Sequence, residues 1–114
     1  MKLITAVIRP ERLEAVKDAL AEVEVFRMTV GDVHGYVAEE SGSLHREEAD
    51  PLPLQRWVRL EIAVNEAFLE PTLTAVTRSA RAEREAVGTA GRIFVTPLTD
   101  VVRIRTGERG PEAI

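Results

Sequence analysis

Apolar and polar positions alternate along residues 2 to 9, with Ile4, Ala6 and Ile8 on one side and Leu3, Thr5 and Val7 on the other. Successive side chains of a strand point to opposite faces, so the pattern predicts a strand covered on both sides. Pro10 ends it and suits the first position of a helix, Glu11 suits the positive end of the helix dipole, and Leu13, Val16, Leu20 and Val23 recur at helical spacing. A helix over 10–23 follows. From Phe26 to Val37, β-branched residues and alternation predict a second strand, with Met28 and Val30 opposite Thr29, Gly31 and Val33. Residues 38–54, AEESGSLHREEADPLPL, then lose all periodicity and have the composition of a solvated loop. Connections in compact domains run to about 4 to 6 residues, so a segment near three times that length marks a functional or disordered loop. We take it as a long mobile loop over about 37–55.

Residues 56–64 alternate more cleanly than any other stretch, placing Val58, Leu60, Ile62 and Val64 inward and Trp57, Arg59 and Glu61 on the other face. Asn65 is a predicted helix cap. Leu69, Leu73, Val76 and Ala80 keep helical spacing as far as about Arg84, with Pro71 expected to bend the helix or delay its start. AVGTAGRIFV then supplies a glycine-bearing turn and a strand at Ile93–Val95, and a further strand or hairpin partner is predicted at 101–105. The order strand, helix, strand, strand, helix, strand predicts an α+β fold, the ferredoxin-like βαββαβ plait, an antiparallel sheet with two helices on one face. Val7, Met28, Val30 and Trp57 are assigned to the open face, which is too apolar to stay in water. Packing of copies around an axis would cover it, so a closed homo-oligomer is predicted.

Composition narrows the function more than the fold. A chain of 114 residues has room for one domain, read as 1–114 with a C-terminal tail from about 107. Lys and Arg number 15 against 19 Asp and Glu, a formal charge of −4, which argues against general attraction to nucleic acid or anionic membrane. Any anion site must therefore be local. Cysteine is absent, which removes disulfides, thiolate metal sites and thiol nucleophiles. The apolar run LITAVI is too short before Arg9 and Pro10 for a signal peptide or membrane span, and a cytoplasmic location is expected.

The local anion site is sought in VVRIR, residues 101–105. On a strand, Arg103 and Arg105 would emerge on one face about 7 Å apart, a pairing that calls for an anion or an acid between them. A salt-bridged surface stripe would satisfy the same pattern.

MKLITAVIRPERLEAVKDALAEV, MTVGDVHGY, RLEIAV, GRIFV and above all VVRIRTGE with the terminal EAI closely resemble the PII signal transduction (nitrogen regulatory protein P-II) family, over nearly the whole chain outside the long loop. The resemblance implies a homotrimer with adenine nucleotide sites, for ATP, ADP or AMP, in the clefts between subunits, with room for Mg2+ beside the phosphates, and an output through the long loop to a membrane transporter or metabolic enzyme. It implies that Arg103, Arg105 and Arg92 grip the phosphates, that Gly88 and Gly91 admit backbone N–H groups to them, and that Thr29, Gly35, Glu61 and Val64 line the base and sugar pocket with Val7 or Ile8 nearby. For Val7 and Val64, core packing is an equal reading. The glycine turn reads about two residues longer than in typical relatives. Trp57 stands where relatives that sense 2-oxoglutarate carry a lysine, and Glu39 would repel a dicarboxylate, so that sensing is not expected. No tyrosine falls at the loop tip, since Tyr36 lies at its start, and uridylylation is not expected.

Other readings have thinner support. His34, His45 and Glu39 could ligate a divalent metal by residue type, though no tight His pair sets a geometry, and a PII-like trimer answering to a metal ion or bicarbonate stays open. A copper-tolerance-type trimer shares the plait but not the arginine-bearing C-terminal segment. An RNA-binding module would stack bases on open-face aromatics, and only Trp57 is central there. No general base or nucleophile stands out, so an enzyme is not expected.

Overall fold

The structure, a computed structural model, describes residues 1–36, 54–81 and 91–114. Strand β1 spans Lys2–Ile8 and passes through a 3-10 turn, Pro10–Arg12, into helix α1, Leu13–Glu22. Strand β2 spans Thr29–Gly35 and β3 Gln55–Val64; helix α2 runs Glu66–Ala80, and β4 spans Gly91–Pro97. A last 3-10 turn, Pro111–Ala113, ends the chain's ordered elements. The four strands form one antiparallel sheet in the order β2-β3-β1-β4, the arrangement of the βαββαβ plait.

The two inner strands carry the strictest alternation because both of their neighbours are strands and one face is roofed by helices. Ile4, Ala6 and Ile8 of β1 and Val58, Leu60, Ile62 and Val64 of β3 are buried against Val16 and Leu20 of α1 and Val76 and Ala80 of α2. Burying a side chain of this size contributes on the order of 1.5–3 kcal/mol each, so this single layer is the main source of stability. The helices are also tied directly. The Arg12 guanidinium donates to the Ser79 carbonyl oxygen from Nε at 3.0 Å and from Nη2 at 2.7 Å, which satisfies an orphan carbonyl in the last turn of α2.

Several expectations need correction. The predicted strand at 101–105 does not form: only Val102 bridges, to Arg109, and residues 104–106 make a turn. The reason lies just downstream, where Gly107 and Gly110 take φ of 76° and 85° and fold the segment on itself, with the Arg103 amide donating to the Glu108 carbonyl at 2.9 Å. Arg103 and Arg105 therefore do not share a strand face. Val30 pairs with Leu60 and so lies on the helix side of the sheet, and Met28 packs against the core; neither belongs to the open face. Trp57 is on the open face yet only 5% exposed. Pro71 neither delays nor interrupts α2. Asn65 stands at the N-cap position but makes no side-chain cap; its Nδ2 donates instead to the Pro111 carbonyl at 3.0 Å and fastens the C-terminal turn. Most of the segment expected as a long loop, and the part of the expected glycine turn before Gly91, fall on 37–53 and 82–90, outside the described residues.

Candidate functional site

Register places chemistry on the open face in rows. Gly31, Arg59, Val7 and Arg92 lie side by side across all four strands, and the adjacent row is Thr29, Glu61, Thr5 and Phe94. Residues directly opposite one another share a face. Arg59 and Arg92 are separated only by β1, so their backbones stand about 10 Å apart with Val7 between them. Among the described residues neither guanidinium has a salt-bridge partner.

Over this part of the sheet lies a concavity of about 610 Å³, walled by Val7, Val33, Trp57 and Phe94, with Gly35 and Tyr36 at one side and Gly91 and Arg92 at the other. Its size is that of a small-molecule site, and its lining is the usual mixture of apolar surface with a few charges. Gly91 makes the closest approach. A side chain there would overlap the Val7 carbonyl oxygen, and its φ of 111° is one that only glycine adopts without strain. Gly35 is required for space alone: a Cβ would come within 2.8 Å of Trp57 Cδ1 and Nε1. The indole ring is covered by Arg9, whose guanidinium carbon sits 5.0 Å from the ring centroid and whose Nη1 donates to Gln55 Oε1 at 3.0 Å. The base of the long loop is thereby braced from both ends, by Gly35 and by Gln55.

Of the residues expected at a nucleotide site, Gly35, Gly91 and Arg92 meet at this concavity. Thr29 and Glu61 face each other in the neighbouring row, whose Phe94 also lines the cavity. Val64 is 3% exposed and belongs to the core cluster, on the other side of the sheet from Glu61. Arg103 and Arg105 stand apart, on the C-terminal turn. Arg103 Nη1 donates to Glu108 Oε1 at 3.1 Å and its Nη2 to the Glu112 carbonyl at 3.3 Å, while Arg105 is exposed in the turn itself. Gly88, Glu39 and His45 lie outside the described residues. His34 is exposed on β2, and among the described residues no three His, Asp or Glu side chains gather in a way that would hold a metal ion.

Sequence reasoning left Phe94, Tyr36 and Arg59 out of the site. The alternation that set Arg59 and Trp57 on one face was the available signal. It also missed Asp100, which organises the C-terminal segment: its carboxylate accepts from Arg109 Nε at 2.8 Å, from the Val101 amide at 2.8 Å and from the Gly110 amide at 3.1 Å. The Arg109 guanidinium and these amides hold its carboxyl below the ordinary range.

A model of the family described as Nitrogen regulatory protein P-II matches residues 1–108. The chain belongs to the P-II family. Nitrogen regulatory protein GlnK1 of Methanosarcina mazei is 48% identical over 115 aligned residues, covering 100% of this chain and 97% of the relative. Nitrogen regulatory protein P-II 1 of Methanothermobacter thermautotrophicus is 46% identical, again covering 100% and 97%. Nitrogen regulatory protein P-II of Azospirillum brasilense is 36% identical with both chains fully covered. As a P-II protein the chain is a signalling regulator. Among the described residues no helix is long and apolar enough to cross a membrane.

Proposed function

We propose that this P-II protein binds adenine nucleotides, ATP or ADP and with less charge AMP, at seams between the subunits of a trimer, and passes their state to a transporter or metabolic enzyme through the segment expected as a long loop over about 37–55. The observation that carries the reading is Gly91 with Arg92 at the edge of an apolar concavity on the sheet face away from the helices. Backbone without a side chain beside a guanidinium suits a phosphate, and the Val7 and Phe94 walls suit a ring. Arg103, held by Glu108 and the Glu112 carbonyl, and the exposed Arg105 lie on a C-terminal segment that does not line this concavity, an arrangement that suits delivery to a neighbouring copy.

Each well-made guanidinium–phosphate bond would contribute on the order of 1.5–3 kcal/mol. No carboxylate lines the concavity among the described residues, so a magnesium ion would arrive with the polyphosphate rather than on a protein cage. Trp57, buried beneath Arg9, offers no ammonium group to a keto acid, which speaks against 2-oxoglutarate as a second effector. The test is calorimetric titration with ATP, ADP and AMP, with and without magnesium and 2-oxoglutarate, alongside light scattering for the oligomer. A nucleotide affinity no better than about millimolar, roughly −4 kcal/mol, would refute the reading. So would a monomer that binds at full affinity.

A further inference from the structure

The C-terminal turn is closed by backbone bonds: the Arg103 amide to the Glu108 carbonyl at 2.9 Å, the Gly107 amide to the Arg103 carbonyl at 2.7 Å, and the Gly110 amide to the Val101 carbonyl at 3.0 Å. Asp100 pins both arms of the segment through Val101, Arg109 and Gly110. With the shape already fixed, the Glu108 carboxylate is left with another task. One of its oxygens, Oε1, accepts from Arg103 Nη1 at 3.1 Å and from the Thr106 hydroxyl at 3.0 Å. Arg105, two residues further on, has no such acid among the described residues. The pair is partly exposed, with side chains 32% and 44% accessible, a setting in which an ion pair is weak and an incoming anion can replace the carboxylate.

We infer that Glu108 is an internal competitor for the anion that Arg103 would hold, so that its carboxylate sets how tightly polyphosphate binds. The inference rests on the nucleotide reading above and adds a regulator of affinity to it. A polyphosphate must displace Glu108 or settle beside it. Either way the negative charge of Glu108 opposes binding, and the opposition grows with the charge of the ligand.

The test is Glu108→Gln, which keeps an oxygen acceptor for Arg103 and Thr106 at the same reach and removes the charge. Affinities for ATP, ADP and AMP are measured by calorimetry on both proteins, at low salt and near 1 M salt, where the screening length falls to about 3 Å. The expected result is tighter ATP binding by about three- to tenfold in the variant, a smaller gain for ADP, a smaller one again for AMP, and loss of the gain at high salt. Thr106→Val, which removes the hydroxyl and leaves the charge, should give no such ordered gain. If the wild type binds nucleotide and Glu108→Gln binds it equally or more weakly, the inference fails and the nucleotide reading stands. An equal gain for all three ligands, or the same ordered gain from Thr106→Val, also overturns it. If neither protein binds any nucleotide, the underlying reading falls and takes the inference with it.

Discussion

Replacing Thr72 by valine should make this protein more stable, against the usual direction of core substitutions. Thr72 lies on α2 and is 0% exposed, the only buried polar residue among those described, and its Oγ1 has no hydrogen-bond partner among the described residues. A hydroxyl that gives up water and gains nothing costs about 1–3 kcal/mol in proteins. Valine puts a methyl group in the same volume, keeps the β-branch and removes that cost, so the expected gain is about 1 kcal/mol after allowance for imperfect fit. For a domain of this size such a gain corresponds to a rise of about 4 °C in Tm. Urea and thermal unfolding of both proteins, at one fixed protomer concentration because assembly would shift Tm, supply the comparison. Thr72→Ser is the counterpart: it keeps the hydroxyl, loses the methyl group and should cost about 1 kcal/mol. Valine matching or falling below the wild type would refute the reasoning, since it would mean that the hydroxyl is satisfied or that the site cannot accept a methyl group.

Other outcomes follow from the same geometry. Gly91→Ala should cost about 2 kcal/mol or more, because a side chain would overlap the Val7 carbonyl in a backbone conformation that already costs about 1–3 kcal/mol for other residues; an unchanged urea midpoint would contradict it. Arg12→Met keeps the apolar stem but leaves the Ser79 carbonyl unserved, and a loss of about 1–2 kcal/mol is expected; protection of the α2 C-terminal amides against hydrogen exchange should fall with it. The Asp100 carboxyl is held below its ordinary value near 3.8, so it adds stability above that pH and loses it as pH falls through the lowered folded value. Asp100→Asn should therefore be less stable than the wild type at neutral pH, with the gap closing on acidification below about pH 4. A gap that stays constant down to pH 2 would remove Asp100 from the account.

The sheet's two inner strands and both helices were legible because each buries one periodic face, and periodicity survives translation into structure when burial dictates it. The C-terminal segment was not. VVRIR has the alternation of a strand, but a strand needs a partner, and glycines at 107 and 110 turned the chain back before one could pair along its length. Val30 was misplaced because the phase of an edge strand is set by its neighbour's register, which no local pattern records. Asn65 has the composition of a cap, yet its amide found a carbonyl 46 residues away that sequence spacing could not suggest. At the site, Gly91, Arg92 and Gly35 were reached through family resemblance, whereas Glu108 and Asp100 act across turns whose closure had to be seen first.

The contact between Gly35 and Trp57 has an evolutionary corollary. Gly35 has an ordinary backbone conformation and is barred from carrying a side chain only by the indole ring beside it. A descendant that traded Trp57 for a small residue would free position 35 to accept almost any amino acid, while one that changed position 35 first would meet an obstacle. Substitutions here must arrive in one order, and that order fixes which chemistries the lineage can try at the mouth of its loop.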